Sequence, residues 1–160
     1  MKTKLILLII AILTQSCAIM LNEDEFTNER SEYTGNAFRF DGCYINSTNF
    51  KNQCGYNFFF RNGVLLNFGD SCGIDSVNEF EDVKFTHWRG PWRIFHIDGD
   101  KIVIKYWTNY AELFKLDTEV VTYKIVNDTT LSHLDRDGKT VYCNFKKFTT
   151  KPDSINPFIK

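Results

Sequence analysis

Residues 56–69 read YNFFFRNGVLLNFG. Two apolar runs flank Asn62-Gly63, a pair suited to the positive φ of a tight turn, so the stretch predicts a β-hairpin. With Asn62 and Gly63 as a two-residue loop, Arg61 stands opposite Val64 and Cys54 falls opposite Ser71, beside Cys72. The same punctuation recurs along the chain. WRIFHIDGDKIVIKYW (92–107) turns at Asp98-Gly99-Asp100, TEVVTYKIVNDTTLSHL (118–134) at Asn127-Asp128, and LSHLDRDGKTVYCNFKKF (131–148) at Asp137-Gly138. FRFDGCYI (38–45) alternates Phe38, Phe40, Gly42 and Tyr44 on one face. Eight strands are expected, near 38–45, 56–61, 64–69, 92–97, 101–108, 118–126, 129–135 and 139–148.

One short helix is expected between them. Ser76-Val77-Asn78-Glu79 has the spacing of a capping box, with Ser76 as N-cap and Glu79 reaching back to it, and Gly90-Pro91 ends the segment. YAELFKL (110–116) fits neither period cleanly. The tail 149–160, TTKPDSINPFIK, carries two prolines and no alternation, so it should lie outside the sheet.

Strands joined by hairpins give a mainly β fold: an eight-stranded antiparallel up-and-down barrel or a strongly curved sheet, with one short helix. Closure removes the unpaired edges that an open sheet leaves. Alternation assigns Phe40, Tyr44, Phe95, Ile97, Ile102, Ile104 and Tyr106 to one interior. Arg93 shares that face. It either meets a ligand carboxylate or phosphate, with Tyr44 and Tyr106 as companion candidates, or it snorkels to the barrel rim.

The N-terminus carries an address. Lys2 and Lys4 precede nine apolar residues, Leu5 to Leu13. A helix of that length covers about 14 Å, half of a hydrocarbon core, so it is too short to span and reads as an export signal. LTQSC (13–17) resembles a bacterial lipobox, in which a small residue precedes an obligatory cysteine. That resemblance implies a lipoprotein signal peptide over 1–16, cleavage after Ser16, and lipidation (palmitate among the acyl groups) at Cys17. Residues 17–37 then read as a lipid-anchored tether, with Glu23-Asp24-Glu25 solvated, and 38–160 as the barrel domain with a non-strand tail at 149–160.

The whole chain has 19 basic and 20 acidic residues, and losing Lys2 and Lys4 leaves 17 against 20, net −3. No basic stripe recommends nucleic acid as a partner. Cys43, Cys54, Cys72 and Cys143 follow Cys17. An even number in an oxidising compartment suggests disulfides, and four cysteines allow three pairings. The hairpin favours Cys54–Cys72. First-to-last strand pairing in a closed barrel favours Cys43–Cys143. The rival is four reduced, buried thiols.

No nucleophile elbow, phosphate loop or C-x-x-C occurs, and His87, His96 and His133 are isolated. The sequence therefore points to no enzyme, metal or cofactor. The order GCY (42–44), FFFRNG (58–63), a helix, WRIFHIDGDKIVIKYW, YKIVNDTTL (123–131) and KPDSINPFIK (151–160) resembles the lipocalin-like domains of small Bacteroidota lipoproteins. Gly42-Cys43-Tyr44 stands where classical lipocalins carry Gly-x-Trp. The resemblance implies a lipid-anchored envelope lipoprotein, at the outer membrane, binding a small amphipathic molecule in its barrel. The alternative is a non-enzymatic interaction protein, an accessory subunit or inhibitor, whose partner is an envelope protein.

Overall fold

The computed structural model describes residues 30–47, 52–74, 90–108, 117–148, and residues 151, 152, 154, 155 and 159. Eight strands form one closed antiparallel barrel in simple sequence order. They are β1 (Gly42–Ser47), β2 (Gln53–Phe59), β3 (Val64–Ser71), β4 (Trp92–Asp98), β5 (Lys101–Thr108), β6 (Asp117–Asn127), β7 (Thr130–Leu134) and β8 (Thr140–Lys147). The expected curved, open sheet is thus excluded, because β1 pairs with β8 from Gly42↔Lys147 to Ile45↔Asn144. The helix expected from Ser76 and the ambiguous 110–116 stretch lie outside the described residues.

Turn chemistry fixes the register, with one correction. Phe60 and Val64 exchange a backbone hydrogen bond (Phe60 N to Val64 O, 2.8 Å), and Gly63 N donates to Phe60 O (3.1 Å). The loop is therefore three residues, Arg61-Asn62-Gly63, with only Gly63 at positive φ (78°). A type I turn closed by a left-handed glycine gives this loop length. Asn62 keeps an ordinary φ and instead accepts from Val64 N through Oδ1 (3.3 Å). Cys54 consequently faces Asp70 rather than Ser71. Cys72, two residues on, lies diagonally across from Cys54. The two are bridged with a Cα separation of 5.1 Å, beside an irregular Asn52 at φ 62°.

The expected Cys43–Cys143 bridge is not formed, and both thiols are free and buried. Strand pairing across the seam was the right premise, but the pleat separates the two residues. Tyr44 and Phe145 are paired and face inward. Cys43, one residue before Tyr44, therefore faces out, whereas Cys143, two before Phe145, faces in. They belong to different apolar clusters on the two sides of the wall.

Those two clusters explain the run of aromatics in β2. Inside the barrel, Tyr44, Phe59, Leu65, Phe95, Ile102, Ile104, Leu131 and Cys143 are essentially inaccessible. Phe40, Ile97 and Phe145 pack against them, partly buried. Outside, the β1–β4 half of the wall carries a second core of Cys43, Tyr56, Phe58, Leu66, Trp92 and Ile94, covered by Ile74, Phe148 and Ile159. Phe148 meets Phe58 edge-on at 5.3 Å between centroids. β2 is thus buried on both faces, and its apolar residues run on without alternation. β6 shows the contrast: Val121, Tyr123 and Ile125 point in while Val120, Thr122 and Lys124 are exposed.

The N-terminal segment closes one end. Phe38 does not extend β1, as the alternation suggested. The chain bends over residues 38–41, and Phe38 seals the barrel against Phe40, Phe59 and Phe95, with centroids 4.5, 5.3 and 6.4 Å away. Arg39 N donates to Tyr44 Oη, whose hydroxyl donates to Asp128 O (2.6 Å). The tether boundary also moves. Tyr33 N donates to Arg61 O, and Arg61 returns bonds to the carbonyls of Tyr33 and Gly35, so this part of the expected tether lies along the β2–β3 hairpin.

The described tail residues are in no strand and are fastened to the barrel. Lys151 Nζ donates to the carbonyls of Phe40 and Phe59 and sits 4.2 Å from the Phe60 ring centroid. Burial pulls its ammonium down to about 8.

Two predictions follow from this packing. Phe95→Ala should cost about 3–5 kcal/mol in denaturant unfolding, because nothing nearby can collapse into a space enclosed by rigid strands. The second concerns alkaline pH. Burial pushes Cys43 and Cys143 from 9.0 to about 12, and Tyr44 from 10.0 to about 12. The folded chain then holds protons that the unfolded chain has lost, and stability falls as pH rises through that window. Lys151, at about 8 folded against 10.5 unfolded, acts oppositely and adds stability between those values. These groups together place the maximum near pH 9, with a steep loss above 10.5. Unfolding curves taken across pH check this, and Cys143→Ala should flatten the alkaline fall.

Candidate functional site

The inner wall is not uniformly apolar. Toward the end opposite the Phe38 seal, polar side chains follow one another around the wall. Asn57 and Asn67 are cross-strand partners on β2 and β3, as are Arg93 and Tyr106 on β4 and β5, and Tyr106 and Glu119 on β5 and β6. Hydrogen bonds link them in order. Asn57 Nδ2 donates to Tyr44 O (3.2 Å), and Asn67 Nδ2 donates to Asn57 Oδ1 (2.7 Å). Arg93 Nη2 donates to Asn67 Oδ1 (2.6 Å). The guanidinium lies over the Tyr106 ring, 4.4 Å from its centroid, and Tyr106 Oη donates to Glu119 Oε2 (2.6 Å).

Arg93 is the exceptional member. Its Nε is sealed from solvent and finds no acceptor among the described residues. A buried donor left unpaired costs about 1–3 kcal/mol, and more on a charged group. Burial also pulls the guanidinium below its ordinary value, opposed only by the Tyr123 and Tyr106 rings nearby. Glu119 does not neutralise it, because Tyr106 stands between them and takes up that carboxylate. Tyr106 is raised, chiefly by burial and then by the Glu119 hydrogen bond. Tyr123 is raised by burial and stacks on His133 at 4.5 Å between centroids.

Beside the amides the wall is cut back. Gly55 and Gly69 are paired across β2 and β3, one step along the inner face from the Asn57–Asn67 pair. Neither has a positive φ, so no turn demands glycine there. Among the described residues, a Cβ on Gly69 would meet nothing nearer than Cys54 O at 3.8 Å. A Cβ on Gly55 would meet the Asn46 side chain at 2.6 Å, the movable end of an amide. Close approach of the Asn46 amide marks Gly55, and open space marks Gly69; backbone geometry requires glycine at neither. Glycine inside a strand often marks a place where another group comes close.

The structure therefore brings Arg93 and Tyr106 together, but not Tyr44. The Tyr44 hydroxyl is spent on the sealed end, where it ties Arg39 to Asp128. The guanidinium bonds Asn67 and lies over Tyr106, and the Arg93 side chain is partly exposed. Sequence reading did not single out Asn57, Asn67, Glu119 or the glycine pair. A signal existed for the amides: each is one polar residue amid apolar neighbours, in YNFFF and in LLNF. Among the described residues no three His, Cys, Asp or Glu side chains cluster as metal ligands would. Family models, curated proteins and solved structures contain no match to this chain.

Asn67 holds the row together, accepting from Arg93 and donating to Asn57. Asn67→Ala should destabilise the barrel by about 1–3 kcal/mol, since it strands a second guanidinium donor. Asn67→Asp should cost less, because its carboxylate still accepts from Arg93. Paired urea titrations of the two variants measure the difference.

Proposed function

We propose that this protein is a lipid-anchored envelope lipoprotein of the outer membrane whose barrel binds a small amphipathic molecule. One observation carries the binding part: the Gly55–Gly69 notch beside a polar row on an otherwise apolar inner wall. Ligand sites of this kind are mostly apolar, with a few placed polar groups that orient the guest. The row supplies the orienting groups, and Val121, Ile104 and Leu65 line the apolar remainder. The guest would enter at the end away from Phe38, where its polar head meets Arg93 and Tyr106. The anchor part rests on the basic start, the short apolar run and Cys17 in LTQSC. Two or more acyl chains on Cys17 would hold the domain stably at the lipid surface.

A second reading, an accessory or inhibitory lipoprotein that docks on an envelope protein, has its own support. Leu134 and Tyr142 are exposed diagonal neighbours on the outer face of β7 and β8, with Val120 exposed on β6. Large exposed apolar residues close together suit a protein contact.

Two measurements test the proposal. Cys17→Ser should abolish labelled-palmitate incorporation and release the protein from membranes; retention without label would remove the anchor. Gly69→Trp should fill the notch and cut binding of an environment-sensitive fluorescent lipid at least tenfold while leaving the β-sheet circular dichroism unchanged. Unaltered binding in that variant would shift the case to the docking reading.

A further inference from the structure

We infer that the ligand of this barrel carries a single carboxylate, received at the Nε edge of Arg93. The inference rests on the binder reading above and names the chemistry of the head group.

Three sides of the guanidinium are accounted for. Tyr106 covers one face, Asn67 Oδ1 takes Nη2, and the side chain's own stem enters from β4. Of its donors, Nε is the one both sealed from solvent and without an acceptor among the described residues. Nε and Nη2 form one edge of the planar fork, and that edge matches the two oxygens of a carboxylate. Asn67 holds Nη2 with a neutral amide oxygen, which can shift or share when a charged acceptor arrives.

The count of charges points to one negative charge. Within the row the neighbours of Arg93 are amides and phenols, Asn57, Asn67, Tyr106 and Tyr123, so its positive charge is uncompensated. Glu119, held by Tyr106, adds negative charge at the end of the row. With Glu119 exposed and held by Tyr106, Arg93 is the cation that a guest's head group would meet, and a dianionic phosphate would leave one of its two charges unmatched there. A monocarboxylate balances Arg93 one for one. Further along the inner face of β3, Gly69 leaves room for the guest, since a Cβ there would meet, among the described residues, nothing nearer than Cys54 O at 3.8 Å. An arginine kept only for structure has no need of that space, and an apolar residue of similar size would avoid the unpaired donor.

The test uses the full chain in detergent and three fluorescent probes of one chain length: a fatty acid, the matching alcohol and the matching alkyl phosphate. The acid should bind about 10–100-fold more tightly than the alcohol, the effect of one hydrogen bond to a charged group. Arg93→Met should remove the preference, bringing acid and alcohol to equal affinity. Arg93→Lys should recover part of the preference, since charge remains but the fork is lost. The wild-type comparison needs no variant, so it decides the matter even if Arg93→Met does not fold. Equal binding of acid and alcohol overturns the carboxylate and leaves the binder reading standing, as does preference for the phosphate. Binding of none of the three overturns both.

Discussion

Closure of the barrel turns on a close contact at the seam between its first and last strands. At Gly42 a Cβ would stand 2.1 Å from the carbonyl oxygen of Lys146, so no side chain fits there. Glycine lets β1 begin against β8 at Gly42↔Lys147, and the pairing then runs inward. Because the sheet is closed, each strand has an inner and an outer face, and a residue's place in the alternation fixes its side. That division determines much else: which aromatics fill the interior, why Cys43 and Cys143 are kept apart, and why a second core can grow on the outside.

The two cores do different work. Inside, Phe38, Phe59 and Phe95 pack edge to face at the sealed end, and the Phe38 ring comes from a segment outside the strands. The outer core fastens the tail through Phe148 and Ile159, while Lys151 is drawn under residues 40 and 59. The N-terminal segment and the C-terminal tail thus converge on the same end of the barrel. Their packing leaves the inner wall toward the other end to the polar row, where close packing gives way to groups that need partners.

At that end the energetic balance reverses. Among the described residues Arg93 keeps one sealed donor without an acceptor, and two glycines pair across β2 and β3 toward the same end. Either choice alone weakens a barrel: the unpaired donor loses hydrogen bonding, and strand glycines lose packing and ordering entropy. Both lie toward the same end of the barrel, and the proposed guest rests on that coincidence.

The strand order and most of the turns were legible in the sequence, since both arise from local chemistry. Alternation about Asp98-Gly99-Asp100 placed Arg93, Phe95, Ile102, Ile104 and Tyr106 on one face, while the partner Arg93↔Tyr106 needed the observed register, with Gly99-Asp100 as the loop. The diagonal Cys54–Cys72 bridge was legible for the same reason, because a hairpin brings its own ends together. The loop length was not. Asn62-Gly63 fits a two-residue turn on composition, and only the hydrogen bonds of Phe60 and Val64 show three residues. The fate of Cys43 and Cys143 needed the seam register, which joins residues a hundred positions apart and depends on how the whole sheet coils. The Arg93 Nε without an acceptor among the described residues, the pairing of Gly55 with Gly69 and the removal of Tyr44 to the sealed end were likewise decided only in three dimensions. A residue's alternation is set by its neighbours in the chain; whether its charge finds a partner is set by strands that the chain reaches only after closing the barrel.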